Sequence, residues 1–355
     1  MLDYGLPGEI KRKGRRTRRQ TTEEPTPPAA FPRPGLAPVP PKSILVVRLG
    51  AMGDIIHSLP GAASLKHSFP NARITWVVSP QFAPLLQDNG FADRLVVFRR
   101  NEPGSWTRTK EELRADRYDL AVDFQGLAKS ALIAHLARPE RIAGFAGSAL
   151  RERLAGLFYS TRVKSAAIHV VDQALDLAAG AGALNLMRGF PLPAGAPEGR
   201  LPEGPFILAS PLAGWASKQW PLECYERLAA MLGKELGLPL VLNGAPGTVP
   251  SVRGTLRHES GIAGLIDATR RAALVVGVDS GPLHLAAALN KAGIAIFGPT
   301  DPARNGPYGG DFEVFRMPGA RRTHRRGTVI DSSMRAITPE QVFPALAARV
   351  SCHAC

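Results

Sequence analysis

Cysteine is scarce in these 355 residues. The three present, Cys224, Cys352 and Cys355, are too few and too scattered for a disulfide scaffold, and they suit a reducing compartment. No stretch approaches 18 uncharged apolar residues, so none reads as a bilayer-spanning helix. The basic N-terminus has no apolar core behind it and does not read as a secretory signal. Glycine is plentiful, at 36, yet the dinucleotide fingerprint Gly-x-Gly-x-x-Gly is missing, as is the Lys-Ser/Thr of a P-loop. Acid is short as well: 30 Asp+Glu stand against 44 Lys+Arg, a net charge of +14. That excess favours polyanionic partners such as nucleic acid, anionic membrane or phosphorylated small molecules. No interleaving of aromatic and basic residues marks a nucleic-acid-reading module, so nucleic acid is not expected as the partner.

What is present reads as folded protein, with 45% hydrophobic and 21% charged residues and length for two domains. Residues 1–42 stand apart as a basic, proline-rich arm expected to be disordered, holding nine of the 32 prolines and the run Lys11–Arg19. The arm suits electrostatic tethering to an anionic surface, and equally a plain solvated extension. Order is expected from the β-branched run Ser43–Arg48. Strand-like segments at 73–78, 94–98, 118–123 and 141–145 then alternate with helix-like ones at 58–68, 80–88 and 127–137. Residues 186–205, with five prolines and four glycines, read as a hinge, and the same alternation restarts after it. Strand-like 206–209, 238–242, 273–278 and 293–297 alternate with helices near 221–236, 262–273 and 282–290, and a helix near 339–350 closes the chain. The expected division is a first α/β domain at 43–187, a linker at 188–205, a second α/β domain at 206–338, and a C-terminal helix and tail at 339–355. Short apolar strands alternating with helices imply doubly wound parallel sheets, which bind ligands at the carboxyl ends of their strands.

Several loops at such strand ends could carry chemistry. Gly50-Ala51-Met52-Gly53-Asp54 follows the first strand, and its glycines let backbone N–H groups approach an anion at a helix N-terminus. Asp54 could accept a proton from an attacking hydroxyl, although a helix N-terminus should lower its pKa; it equally suits an ordinary helix start. Val278-Asp279-Ser280-Gly281-Pro282-Leu283-His284 combines a cap, a bare glycine, a first-turn proline and a histidine; it is a phosphate cradle or simply a well-built helix start. Lys218, in Ala216–Pro221, is a mobile point charge suited to a phosphate oxygen. Phe297–Pro302 is either a ligand contact or a plain turn. Two arginine-rich stretches, one with Arg316, Arg321, Arg322, Arg325 and Arg326 and one with Lys129, Arg138, Arg141, Arg151 and Arg153, offer donors to phosphates or merely a solvated basic face. Cys352-His353-Ala354-Cys355 lacks the second ligand pair a metal site needs.

Together these motifs resemble one family. Arg48–Pro60, Asp123–Ser130, Lys218-Gln219-Trp220-Pro221, Asp279–Ala288 and Gly298–Pro302 occur in the order found in the bacterial ADP-heptose:lipopolysaccharide heptosyltransferases of glycosyltransferase family 9. The likeness spans roughly residues 43–350. His57 and the Asp-x-Gln-Gly-Leu-x-Lys-Ser segment favour the type I branch over type II.

The resemblance implies a GT-B architecture of two Rossmann-like domains facing a cleft. It also implies an inverting transfer of heptose from ADP-heptose to the Kdo region of Kdo–lipid A, with no metal and no cofactor. Asp54 then becomes the base, and Lys218 steadies the departing diphosphate. Gly53, Asp279, Ser280, Gly281, His284 and Thr300 form the donor side, with His57, Gln125, Lys129 and Arg151 on the acceptor. It further implies a cytoplasmic enzyme peripheral to the anionic face of the inner membrane. The chain departs from the family pattern on the nucleotide side. After Asn243-Gly244-Ala245-Pro246 comes Gly247-Thr248 in place of a ribose-holding acid, residues 245–261 show no clear strand, and Ala213-Gly214 replace hydroxyl residues. Two alternatives stay open: a family 9 transferase using another nucleotide sugar, and a non-enzymatic basic adaptor for nucleic acid or membrane.

Overall fold

The computed structural model describes residues 39–323 and 326–353, with side chains to 350. Most of the expected basic arm (1–38), Arg325 and Cys355 lie outside the described residues. The fold begins slightly before the expected boundary: Pro41 is buried, and the Asp119 carboxylate accepts the backbone N–H groups of Lys42 and Ser43.

The first lobe runs β1 (Ser43–Val47), α1 (Met52–Ser68), β2 (Arg73–Val78), β3 (Arg94–Val97), α2 (Ser105–Arg114), β4 (Leu120–Asp123), α3 (Ala128–Leu136), β5 (Arg141–Ala146), β6 (Thr161–Lys164) and α4 (Val170–Gly180). The second runs β7 (Ile207–Ser210), α5 (Leu222–Glu235), β8 (Leu240–Gly244), β9 (Thr255–Glu259), α6 (Ile262–Arg271), β10 (Leu274–Val278), α7 (Gly281–Ala288), β11 (Ala292–Phe297), α8 (Pro302–Asn305), β12 (Asp311–Arg316), α9 (Ser332–Arg335) and α10 (Pro339–His353). Each lobe holds one six-stranded sheet, and every strand pair is parallel. The orders β3-β2-β1-β4-β5-β6 and β9-β8-β7-β10-β11-β12 are the same doubly wound pattern used twice.

The central strands are apolar throughout because they are buried on both faces. Ile44–Val47 and Leu274–Val278 are solid apolar runs with every residue buried, as helices on each side of a parallel sheet require. Strand order reverses between β1 and β4 and between β7 and β10. The loops leaving those four strands therefore diverge and open a crevice.

The structure departs from sequence expectation at several elements, and helices α2 and α4 were not among those expected. Helix α1 starts at Met52, six residues before the expected 58, because its first turns carry the Gly53 that periodicity discounts. Gly61 within it lets α4 approach: a Cβ there would stand 2.6 Å from the Ala174 carbonyl oxygen. The expected helix at 80–88 is a 3-10 turn over Pro80–Leu85, shortened by two prolines. Residues 245–261 do contain a strand, β9, contrary to expectation. Like β6 and β12 it is an edge strand with charged, half-exposed residues, so no apolar run announces it.

The expected hinge is a stapled strap. The Ser68 and Ser64 hydroxyls accept the N–H groups of Leu184, Asn185 and Met187, binding its start to α1. Farther on, the Glu198 carboxylate accepts the Gly261 N–H and the Ala263 carbonyl accepts the Ala196 N–H, binding its end to α6. The closing helix α10 packs on α5, β10 and β11, and the Ile337 carbonyl just before it accepts the Trp220 indole N–H. Among the described residues, no helix is long and apolar enough to cross a membrane.

Gly144 on β5 lies against the Tyr159 ring, where any Cβ would overlap ring atoms. Gly144→Ala is expected to lower stability by about 1–3 kcal/mol through overpacking, read as a reduced urea midpoint.

Candidate active site

The chain leaves β1 into Arg48, whose side chain is only 4% exposed. Its backbone carbonyl accepts the Trp76 indole N–H, and its guanidinium donates to the Phe124 carbonyl beyond β4. This turns a second guanidinium nitrogen onto Asp54, 2.9 Å away in the first turn of α1. Arg151 closes on the same carboxylate from the other side, at 3.0 and 3.2 Å. Burial alone would raise the Asp54 pKa, but the charges of Arg48 and Arg151 overcome it and hold the carboxyl well below the usual range. The depression expected from a helix end is thus supplied by two arginines. Burial lowers the Arg48 pKa to about 10 in spite of its acidic partner.

Gln125 and Asp123 brace this turn. The Gln125 side-chain oxygen accepts the Leu49 N–H, so that amide is engaged with its own protein. Asp123 is wholly buried and collects the hydroxyls of Ser130 and Tyr159 and the N–H groups of Gln125 and Gly126. Burial raises its pKa against these four bonds.

In the second lobe the loop after β10 repeats the design with other residues. Asp279 is buried at 4% exposure, with Lys218 Nζ 2.7 Å from one oxygen and His284 Nε2 3.3 Å from the other. Burial again opposes ionisation, and His284 and Lys218 reverse it, holding Asp279 well below the usual range. Lys218 also sits 4.5 Å over the Trp215 ring. Ser280 occupies the N-cap position of α7, but its side chain makes no capping bond. Thr300 is buried beyond β11, where Arg316 holds the Gly298 and Thr300 carbonyls. Polar atoms buried here without a protein hydrogen-bond partner include His57 Nε2, Ser217 Oγ, Ser280 Oγ, His284 Nδ1 and Thr300 Oγ1. Such atoms are costly unless a ligand or water meets them.

The two loops meet. A Cβ on Gly53 would stand 2.5 Å from the His284 ring, and one on Gly281 would stand 2.8 Å from Met52. The two glycines thus allow the N-termini of α1 and α7 to abut, so Gly53 is a seam residue. His57 lies 4.3 Å from His284, ring to ring, and 5.8 Å from His169, which contacts the Gly306 carbonyl of the second lobe. A chamber lined by Arg48, Asp54, His57, Gln125, Arg151 and Arg304 sits at this seam. A larger cavity of about 410 Å³ lies beside it, walled by Gln81 and Phe82 from the first lobe and by Ser210, Asn243, Ser260 and Ile262 from the second.

The structure therefore brings Asp54, His57, Gln125 and Arg151 together on one side, and Lys218, Asp279, Ser280, Gly281 and His284 on the other. Lys129 lies half-buried on the first turn of α3, outside the chamber lining. Sequence reasoning missed Arg304, His169 and Phe82. Arg304 is half-buried on α8 and feels the charges of Arg151, Asp54 and Asp279. Only the parallel fold places it there. Of the arginine-rich stretch near the C-terminus, Arg316 braces its own loop and Arg322 pairs with Asp301. Among the described residues, no group of three or more His, Cys, Asp or Glu is placed to hold a metal ion.

The family model for glycosyltransferase family 9 (heptosyltransferase) matches residues 106–328. The chain belongs to this family. It is 28% identical over 294 residues to lipopolysaccharide heptosyltransferase 1 of Pseudomonas aeruginosa, covering 75% of this chain and 81% of that one. To the Escherichia coli K12 protein of the same description it is 29% identical over 311 residues, covering 78% and 93%. The solved E. coli heptosyltransferase WaaC with ADP superposes with a TM-score of 0.69 at 25% identity, covering 86% of this chain and 99% of that one. The two six-stranded lobes are thus a GT-B fold, and this heptosyltransferase-family chain places its candidate residues at the two points where strand order reverses.

Burial, with His284 and His169 nearby, holds the His57 pKa well below its ordinary 6.5. The unfolded chain therefore takes up a proton below about pH 6.5 that the folded chain refuses. The stability contributed by neutral His57 is complete above that pH and falls as pH drops below it. His57→Gln is expected to flatten the decline in urea midpoint between about pH 7 and 5; an unchanged slope would contradict the assignment.

Proposed function

We propose that this chain transfers heptose from ADP-heptose to the Kdo region of Kdo–lipid A with inversion at the anomeric carbon, as a peripheral enzyme on the cytoplasmic side of the inner membrane. The observation that carries this reading is the convergence, at one seam, of an ionised carboxylate from one lobe and a Lys–Asp–His cluster from the other. An acceptor hydroxyl seated against Asp54 attacks the anomeric carbon on the face opposite the diphosphate. The bond from that carbon to the diphosphate oxygen breaks, ADP departs with its charge, and Asp54 receives the hydroxyl proton.

Each half has a physical reason for its place. Charge grows on the departing diphosphate beside Lys218, the free N–H groups at the start of α7, and the unpartnered Ser280 hydroxyl. The 410 Å³ cavity next to them is mostly apolar and suits a nucleoside. A relative solved with ADP supports adenosine as that nucleoside. In this reading protein cations meet the diphosphate, and turnover is expected to persist in EDTA.

Asp54 in its grip between two arginines is a poor base, and the acceptor itself removes the obstacle. Arg151 is partly exposed and can swing to an incoming carboxylate or phosphate, whereas Arg48 is locked by the Phe124 carbonyl. Losing one of its two cations raises the Asp54 pKa as the hydroxyl arrives.

Asp54→Ala is expected to abolish transfer while ADP binding by calorimetry stays within about threefold, because the residue lies off the diphosphate side; retained turnover would refute the base. Lys218→Ala is expected to lower kcat about 100-fold or more. ADP should raise the melting temperature more than UDP, GDP or NAD. Selective stabilisation by UDP or GDP would replace the proposed donor.

A further inference from the structure

The 3-10 turn Arg153–Phe158 carries two leucines outward. In a 3-10 helix residues three apart eclipse one another, so Leu154 and Leu157 project side by side, 65% and 75% exposed. Between and after them Ala155, Gly156 and Tyr159 are buried, and Phe158 packs on His135 of α3. The turn is rigidly seated. The Gly126 carbonyl accepts the Glu152 N–H, and the Glu152 carboxylate is occupied by the Ala128 N–H. A pair of leucines held this open on a fixed turn adds little to the packing of the described residues.

The surroundings say what covers them. Exposed Arg153 adjoins Leu154, and Lys129 stands on the helix beneath, with Arg100 close enough to act on its charge. Arg151 begins the same segment and ends on Asp54. The acid of this segment, Glu152, accepts the Ala128 N–H and sets its charge against that of Lys129, which leaves Arg153 as the cation next to the leucines. An apolar tip with exposed Arg153 beside it and Lys129 on the adjoining helix matches an anionic bilayer, whose phosphates meet these cations and whose acyl region takes the leucines. We propose that Leu154 and Leu157, with Arg153, form the membrane-docking tip of this chain, which sets an anionic lipid surface beside the Asp54 chamber. The location suits the lipid acceptor proposed above and rests on that reading: the sugar end of such a lipid enters past Arg151 while its acyl chains stay in the bilayer.

The test uses the full-length chain with vesicles of phosphatidylethanolamine and phosphatidylglycerol. Leu154→Asp/Leu157→Asp is expected to weaken cosedimentation about tenfold or more, whereas Leu154→Phe/Leu157→Phe should retain it. Arg153→Glu should weaken binding and reduce its salt dependence. The Asp pair should slow turnover of acylated acceptor in vesicles and leave turnover of a deacylated, water-soluble acceptor unchanged. Undiminished cosedimentation of the Asp pair overturns the proposal. So does a wild-type dimer, formed without lipid, that the Asp pair dissolves. A wild-type chain that binds vesicles through these leucines yet transfers nothing refutes the proposed reaction and upholds the docking tip.

Discussion

A carboxylate held ionised between two guanidinium groups, inside a crevice rather than on the surface, is the constraint on which this molecule is built. Removing such charges from water costs several kcal/mol or more per ion, and only good geometry with further hydrogen bonds offsets it. Here the geometry is excellent. Arg48 is fixed by a carbonyl from a neighbouring strand end before it reaches Asp54, and Arg151 arrives from a separate segment. A half-buried ion cluster of this kind is weak evidence for stability. It is better evidence for a site, since apolar residues of similar volume would serve stability as well.

The second lobe meets the same constraint with different chemistry. Asp279 faces a flexible cation and an imidazole in place of two arginines, and the hydroxyls around it are left without partners. One topology used twice thus presents an ion-paired carboxylate on one wall and unpartnered hydroxyls on the other. The glycines at 53 and 281 permit the close approach: with any side chain there, the helix starts that carry the two walls would be pushed apart.

What holds the walls in register is less conspicuous. The strap between lobes is fastened by serine hydroxyls at one end and by Glu198 at the other, so its prolines and glycines shape a fitted connection. Buried central strands and the helices α1, α3, α5, α6, α7 and α10 were legible in sequence because they are apolar runs or carry clear helical spacing, whereas α2 and α4 were not read. Edge strands β6, β9 and β12 were not, because half of each faces water and their composition is that of a loop. The site divided the same way. Asp54, Lys218 and Asp279–His284 lie in the loops and helix starts that follow strands and could be named from local chemistry. Arg304, His169 and Phe82 reach the seam from segments with no local mark of function.

By itself the sequence determined the repeated strand–helix alternation, the glycine-bearing loops at strand ends and the excess of positive charge, all properties of neighbouring residues along the chain. Only the tertiary structure decided that Asp54 is gripped by two arginines, that Lys218 and His284 share one carboxylate, and that two exposed leucines stand on the segment that carries Arg151 to Asp54. Those facts depend on which segments a doubly wound sheet brings side by side across a hundred residues, and the electrostatic state of a buried group is set by such neighbours in space rather than in sequence.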